Sequence, residues 1–577
     1  MRLLTLPLLV LLALLVPSER LQARVEGTQD KGLRKIEWKL AAGHAAEYVF
    51  LDKAGKPIPD QKFLIFGSEL TSHSNRILVD SYDELPLPLL FQLPPEPFKN
   101  GVGWEYSANF FSDSLDAMGG FETMMGGGSI RPVAAKGRYI LKVAKKGDDE
   151  IATVDGAFSL YEIRRDLVNN QMKLVATKNE MGTLATSAQV SVSKGILLKA
   201  GWQYKVRGQE RENGRPVEKK IETHGLIELK EDLELDATKI QASLETAISR
   251  AADWLKKQQK NGAWTPTRGQ PQPADTIHLT ALAVRALVAA GVKPDDSALV
   301  AASKTLRSPA PVENAFLGQQ ILALSCKSPT KDEADDARRL AEELLRRRDP
   351  RAAGWGPGTG RNDTPNLTLT ALALEALAAV PDLKVPEDVF KTGLENFSAG
   401  GIDEEGSVDL DIEFEKDATP FPLDPKKNVV PAAWPAQLGG AGPFGFRGAR
   451  KGSFFTQVAA LRTLLLVPER LKMDEKQLKA LEAPLRRGFA NLQRLWTLRT
   501  VPPVEAPWCS QRLEYLGILG PMLARAKISR IGGSDWRLEG VTLLLREQGD
   551  DGSWVPGTDW AVAKTAHALL FLASARR

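Results

Sequence analysis

The sequence predicts a multidomain chain: an N-terminal antiparallel β domain (sandwich or barrel), then an all-α domain of about six helical hairpins. Three observations predict it. Short β-branched and aromatic runs separated by turn signals fill residues 24–235. The apolar period turns helical near Asp236 and stays so to Arg577, in roughly twelve segments. Within that half a twelve-residue segment recurs: 276–287 (TIHLTALAVRAL) aligns without gaps to 366–377 (NLTLTALALEAL) with seven identities.

The N-terminal 23 residues read as a secretory signal. Arg2 precedes a largely apolar run from Leu3 to Val16, followed by Pro17, Ser18 and a polar stretch ending at the small residue Ala23. That run is shorter than the ~20 residues a membrane-spanning helix needs. No cysteine lies near the cleavage site to carry a lipid, and no later stretch is apolar enough to span a bilayer. The expectation is an exported mature chain, periplasmic or secreted. Its 577 residues exceed one ordinary core, which points to two or more domains. Lys and Arg total 76 against 72 Asp and Glu, so a net charge of +4 leaves no nucleic-acid footprint. Two cysteines, Cys326 and Cys509, are too few for a disulfide framework or a cysteine-rich zinc site.

Residues 24–235 carry segments such as 47–51, 62–66, 138–142, 151–154 and 188–192, each short and partly alternating. Turns at 54–57, 146–149 and 212–214 separate them, and about ten strands are expected. The Gly- and Met-rich stretch 118–128 reads as a surface loop, or as an adaptable apolar contact for a lipid or partner.

Residues 236–577 form the helical domain. Segments 238–260, 332–348, 475–495 and 535–547 suit an outer layer. Segments 276–290, 364–379, 454–466, 508–525 and 560–575 suit an inner one, because their small residues let backbones approach. Six hairpins are enough to close a ring. Asp275, Asp363 and Asp559 stand near inner-helix starts, where carboxylates serve as N-caps. The stretch 398–452 is a long insertion, with Asp409, Asp411, Glu413 and Glu415 alternating with apolar residues before a Pro- and Gly-rich run. It reads as a solvated insertion with an edge strand, a lid, or a weak Ca²⁺ site.

One motif recurs around these hairpins. The best copy is Arg250-Ala251, Trp254-Leu255, Gln259, Gly262 and Trp264, and the last is Gly540, Leu543-Leu544, Gln548, Gly552 and Trp554. A third copy around Leu344-Leu345, Gly354 and Trp355 has Asp349 for Gln, and a fourth keeps only Arg487-Gly488 and Leu492. The spacing resembles the QW repeat of the squalene cyclase and protein prenyltransferase superfamily, over roughly residues 240–577. That resemblance implies a ring of paired helices, an (α/α)6-type toroid. It also implies structural roles for Gln259, Trp264, Trp355, Gln548 and Trp554. The segments 512–515, 531–536 and 548–554 resemble exported bacterial proteins with prenyltransferase or squalene-oxidase repeats, which carry no assigned reaction.

The superfamily's chemistry needs further groups. The cyclase acid motif Asp-x-Asp-Asp is absent, and the nearest string, Glu333-Ala334-Asp335-Asp336, lies in a charged, solvent-facing helix. The zinc ligands of the prenyltransferases are also missing. Pro507 stands two residues before Cys509 where Asp is required, and Lys564 precedes Thr565 where His is required. Cys509 is followed by Ser510, Gln511 and Arg512, which excludes thioester chemistry. No metal or cofactor is therefore expected. One dense polar group remains, Gln511, Arg512, Glu514 and Tyr515 on an inner helix, with His278 able to join it across the ring. His278, Glu514 and Tyr515 are the catalytic candidates, and Arg512, His567 and Cys509 the ligand-binding ones.

The sequence thus predicts an exported envelope protein that does not cyclise. Its toroid would bind an apolar, isoprenoid or other envelope ligand, or a protein or glycan partner. The alternatives are a divergent terpene cyclase or a carbohydrate-active toroid enzyme, and a surface module docking through its β domain.

Overall fold

A computed structural model of the chain describes residues 43–66 (except 53), 99–110, 133–168, 171–212, 215–266, 272–307, 311, 313–326, 329–349, 353–358, 365–399, 401–403, 406–415, 426–434, 454–494, 496, 498, 512–554 and 560–576. The expected signal segment, the 118–128 loop, Cys509, Gln511, Asp363 and Asp559 lie outside these residues.

The N-terminal part is one antiparallel sheet. Its strands are β1 (His44–Leu51), β2 (Pro57–Phe66), β3 (Gly103–Phe110), β4 (Val133–Lys146), β5 (Asp149–Val168), β6 (Gln171–Ser191), β7 (Ile196–Glu212) and β8 (Arg215–Glu234). The order is β2-β1-β8-β7-β6-β5-β4-β3, so the first strand returns to pair with the last. Among the described residues there are eight strands where about ten were expected, because the apolar runs merge into longer ones: β5 alone spans 20 residues. Alternation sets the buried face. In β6, Leu184, Thr186, Ala188 and Val190 are buried while Thr183, Ala185, Ser187 and Gln189 are exposed.

β1 and the last three residues of β2 are buried on both faces. Ala46, Tyr48 and Ile65 belong to the sheet's own core, whereas their neighbours Ala45, Leu64 and Phe66 join the core of the helical domain. Glu47 lies on the helix-facing side, with its side chain 4% exposed. It accepts a hydrogen bond from Lys230 Nζ at 2.7 Å and pairs with the guanidinium of Arg546 from the helical half. Those contacts outweigh the cost of burial and hold its carboxyl below the ordinary glutamate range.

Among the described residues twelve helices follow: α1 (Ala237–Gln258), α2 (Pro273–Ala289), α3 (Ser297–Leu306), α4 (Asn314–Ser325), α5 (Lys331–Arg346), α6 (Leu367–Ala379), α7 (Glu387–Ala399), α8 (Phe454–Leu471), α9 (Glu475–Arg494), α10 (Arg512–Arg525), α11 (Trp536–Glu547) and α12 (Ala561–Ser574). The even-numbered helices touch in the order α2-α4-α6-α8-α10-α12 and back to α2, a closed inner ring. The odd-numbered helices back them, which makes six hairpins and an α/α toroid. The composition of each layer fits its place. Outer α5 is amphipathic and opens on a Thr330–Glu333 capping box, while inner α6 is apolar almost all round. No described helix is long and apolar enough to cross a membrane.

The caps differ from expectation. Asn366, not an aspartate, caps α6 by accepting from the amides of Thr368 and Leu369. Asp275 sits inside the first turn of α2, whose cap position is Gln272. Within the insertion, the described strands β9 (Ile402–Asp403), β10 (Val408–Leu410), β11 (Ile412–Phe414), β12 (Lys426–Val429) and β13 (Ala432–Ala433) form two-stranded pairs. β11 pairs with β14 (Ile528–Ile531), and β10, β12 and β13 lie along outer helix α9. The described part therefore packs on the outer wall. Three of its carboxylates have separate partners: Asp409 accepts from the Asn428 amide, Glu413 faces Arg530, and Glu415 faces Arg537 and Lys527.

Candidate functional site

The recurring turns place polar groups in a fixed pattern. The Trp264 amide donates to Thr280 Oγ1 at 3.1 Å and its indole Nε1 to the Leu255 carbonyl at 2.7 Å. Trp355 does the same with Thr370 at 3.1 Å and Leu344 at 2.7 Å, and Trp554 with Thr565 at 3.2 Å and Leu544 at 3.0 Å. Each tryptophan thus fastens the end of an outer helix to the start of its inner partner, with its large ring buried. Trp434 is a further instance, with Nε1 donating to the Phe397 carbonyl at 2.7 Å. The sequence reading missed it because the insertion separates it from α7.

The glutamines reach to the next hairpin. Gln259 Nε2 donates to the Ala298 carbonyl at 2.8 Å in α3, and Gln548 Nε2 to the Ala247 carbonyl at 3.0 Å in α1. The second bond joins the last hairpin to the first and helps close the ring. Arg250 adds bonds to the carbonyls of Gly549 and Asp550 at 2.8 and 2.7 Å. Gly262 and Gly552 have φ of +79° and +92°, and a Cβ on either would come within 2.6 Å of a carbonyl oxygen of the facing outer helix.

A second set of polar groups on the inner helices faces the ring's axis. Each inner helix has neighbours on two sides and an outer helix behind, so its partly exposed residues mark the fourth side, the lumen. They include His278 and Arg285 on α2, Phe316 and Gln319 on α4, Leu372 and Glu375 on α6, and Phe455 and Arg462 on α8. Ile518 on α10 and His567 on α12 are likewise partly exposed, and Glu514 on α10 is exposed. Arg285 donates to Gln319 Oε1, and Arg462 pairs with Glu375, so four helices contribute to one polar belt. Phe316 lies 4.9 Å from the His278 ring, centroid to centroid. Nδ1 of both His278 and His567 is buried with no hydrogen-bond partner among the described residues.

Electrostatics follow from this enclosure. Burial lowers His278 to about 4, opposed by Asp275 and reinforced by Arg285. Burial lowers His567 to about 3, helped by His278 and Arg285. Both imidazoles are therefore neutral at pH 7. Burial also raises Glu514, although solvent reaches its side chain. A group on the wall of an enclosed space meets both conditions at once: water has access, yet protein surrounds it.

The residues singled out in the sequence do not all meet here. His278, Glu514 and His567 face the lumen. Tyr515, next to Glu514, is fully buried, its ring against Phe455 at 6.3 Å and its phenol raised by burial. Arg512 turns outward and binds Glu547 of α11 through both terminal nitrogens, one at 2.9 Å. The expected cluster of Arg512, Glu514 and Tyr515 is thus split three ways, because successive helical positions diverge by about 100°. Arg285, Gln319, Glu375 and Arg462 were not singled out. A signal for two of them was present: Arg285 and Glu375 occupy the same position of the recurring twelve-residue segment, the one charged position of each match. No group of three or more His, Cys, Asp or Glu able to hold a metal occurs among the described residues.

No family model and no curated protein matches the chain. Several solved structures are similar in outline. One is the apo form of the type II terpene cyclase MstE from Scytonema, 14% identical, with a TM-score of 0.33, covering 58% of this chain and 98% of that one. Another is an unsaturated glucuronyl hydrolase specific for heparin, 12% identical, with a TM-score of 0.38 and coverage of 59% and 97%. A third is a family 76 glycoside hydrolase from a bovine Bacteroides thetaiotaomicron strain, 10% identical, with a TM-score of 0.38 and coverage of 75% and 97%. Likeness at this level carries nothing about chemistry, and the toroid assignment rests on the ring of helix contacts.

Proposed function

We propose that this protein is an exported ligand-binding toroid, which takes a small organic molecule into its lumen and does not cyclise it. One observation carries the reading: the lumen wall combines apolar side chains with a small set of polar ones. Phe316, Leu372, Phe455 and Ile518 supply the apolar part, and His278, His567, Arg285 and Gln319 the polar part, with both histidine Nδ1 atoms lacking a partner among the described residues. Unpaired buried polar atoms cost about 1–3 kcal/mol each, so these histidines are not explained by the stability of the ring. Export rests on the signal-like residues 1–23.

The test is native mass spectrometry of the full chain produced in an exporting host, followed by organic extraction and N-terminal sequencing. The expected result is a chain beginning near residue 24 with a stoichiometric small molecule. An empty protein that also fails to take up apolar probes overturns the binding reading, and an unprocessed N-terminus overturns export.

A second reading has support of its own. Glu514 faces the lumen with its carboxyl raised by burial, and no described cation pairs with it. A carboxyl so placed suits a general acid, as in a carbohydrate-active toroid enzyme or a divergent cyclase. Turnover of a glycan or polyene abolished by Glu514→Gln would establish that reading, and its absence across both classes would leave the binding one.

A further inference from the structure

We infer that the lumen is built for an apolar monocarboxylic acid, whose carboxylate docks on Arg285. The inference rests on the lumen-binding reading above and narrows it to one class of ligand.

The argument starts from a charge count. Away from the first and last turns of the six inner helices, the charged residues are Arg285, Glu375 and Arg462. Arg462 is paired with Glu375. Arg285 is not paired with a carboxylate: its hydrogen-bond partner among the described residues is Gln319 Oε1, a neutral amide. At the level of the belt, two guanidiniums against one carboxylate leave a single positive charge; Asp275 and Glu514 stand apart from it in the first turns of α2 and α10, and burial shifts Glu514 toward its neutral form. The neighbouring imidazoles do not change the count, since both are neutral at pH 7.

A guanidinium enclosed by protein and bonded to no carboxylate, with Glu375 attracting it only through space, is an expensive arrangement. Arg285 presents further N–H groups beyond the one that meets Gln319, arranged as a planar fork that matches a carboxylate. One excess positive charge suits a monoanion, whereas a phosphate or diphosphate would leave negative charge uncompensated. The rest of the wall selects the tail. Phe316, Leu372, Phe455 and Ile518 line the same lumen, so the acid carries a hydrocarbon chain.

The experiment is isothermal titration calorimetry of the full mature chain at pH 7 with dodecanoate, dodecanol and dodecyl phosphate, all below their micelle concentrations. Dodecanoate is expected to bind roughly 10- to 100-fold more tightly than dodecanol, the range of a charge-assisted hydrogen bond. Arg285→Gln is expected to bring the ratio of acid to alcohol affinity from that range down to about one. Acid and alcohol binding alike overturns this inference and leaves the lumen reading standing. Dodecyl phosphate binding more tightly than dodecanoate overturns the monoanion assignment. No binding of any of the three counts against both readings. The wild-type comparison of acid with alcohol needs no variant, so it decides the matter even where Arg285→Gln fails to fold.

Discussion

The inner helices carry two sets of polar residues with opposite bonding. At the hairpin turns, Thr280, Thr370 and Thr565 each accept from a tryptophan amide, and each of those indoles donates to a helix-end carbonyl. On the lumen side of the same helices, His278 and His567 keep an Nδ1 that nothing described satisfies, and Arg285 meets only an amide among the described residues. The first set is what a stable ring requires, since buried polar groups are normally paired. The second set costs stability. The contrast separates residues that build the toroid from residues whose presence the toroid's stability does not explain.

Truncating one side chain from each set gives the largest test of that contrast. Trp355→Ala removes a fully buried ring and its hydrogen bond to Leu344, and is expected to cost about 3–5 kcal/mol. Phe316→Ala, on the partly exposed lumen face, is expected to cost about 1 kcal/mol. Chemical denaturation of the two variants checks this, and equal losses would erase the distinction between wall and frame.

Docking of the β domain is the next largest effect. Glu47 is the acceptor shared by Lys230 of β8 and Arg546 of α11. Glu47→Gln is expected to lower stability by about 1–2 kcal/mol, a value held down because both cations are partly exposed and regain water. Its folded pKa is lowered, so its contribution is present above the unfolded value and is lost as pH falls below about 4.5. Faster proteolysis between β8 and α1 in the variant would show that the two domains part first. Unchanged cleavage would mean that Ala45, Leu64 and Phe66 hold them without the ion pair.

These residues also show what was legible in the sequence. Period and composition are local properties, so the change from strand to helix near Asp236 and the helix-forming repeats could be read directly. Trp264, Trp355 and Trp554 could be found because each follows its outer helix closely, 9, 11 and 10 residues after the carbonyl its indole meets. Trp434 could not, since the chain between Phe397 and it carries several short strands. The lumen was harder for a different reason. Its polar belt is assembled from α2, α4, α6 and α8, and no spacing within one helix reports which residues of four helices meet at one level. The cluster Arg512, Glu514 and Tyr515 looked dense because its members are adjacent in sequence, and adjacency on a helix spreads side chains apart. The pairing of Glu47 with Arg546, 499 residues away, left no local trace at all.

The smallest effect at neutral pH belongs to the histidines, and it sharpens the comparison most. Replacing both by apolar residues (His278→Leu with His567→Leu) removes two unpaired polar groups, so stability at pH 7 is expected to stay within about 1 kcal/mol of wild type or to rise. Their folded values of about 4 and about 3 lie below the ordinary histidine value of 6.5. The unfolded chain therefore binds more protons than the folded one between those limits, and wild-type stability falls as pH drops from 6.5 toward 4. With allowance for solvent access, the loss is about 1 kcal/mol per histidine by pH 5. Glu47 acts with the same sign but only below about 4.5, and Glu514, raised by burial, acts with the opposite sign in wild type and variant alike, so the difference between the two from 6.5 to 4.5 belongs to the histidines. Denaturation across that interval should slope in the wild type and flatten in the double variant. An equal slope in both would mean that the imidazoles already find partners in the lumen, and the division between frame and wall would then fail at its most specific point.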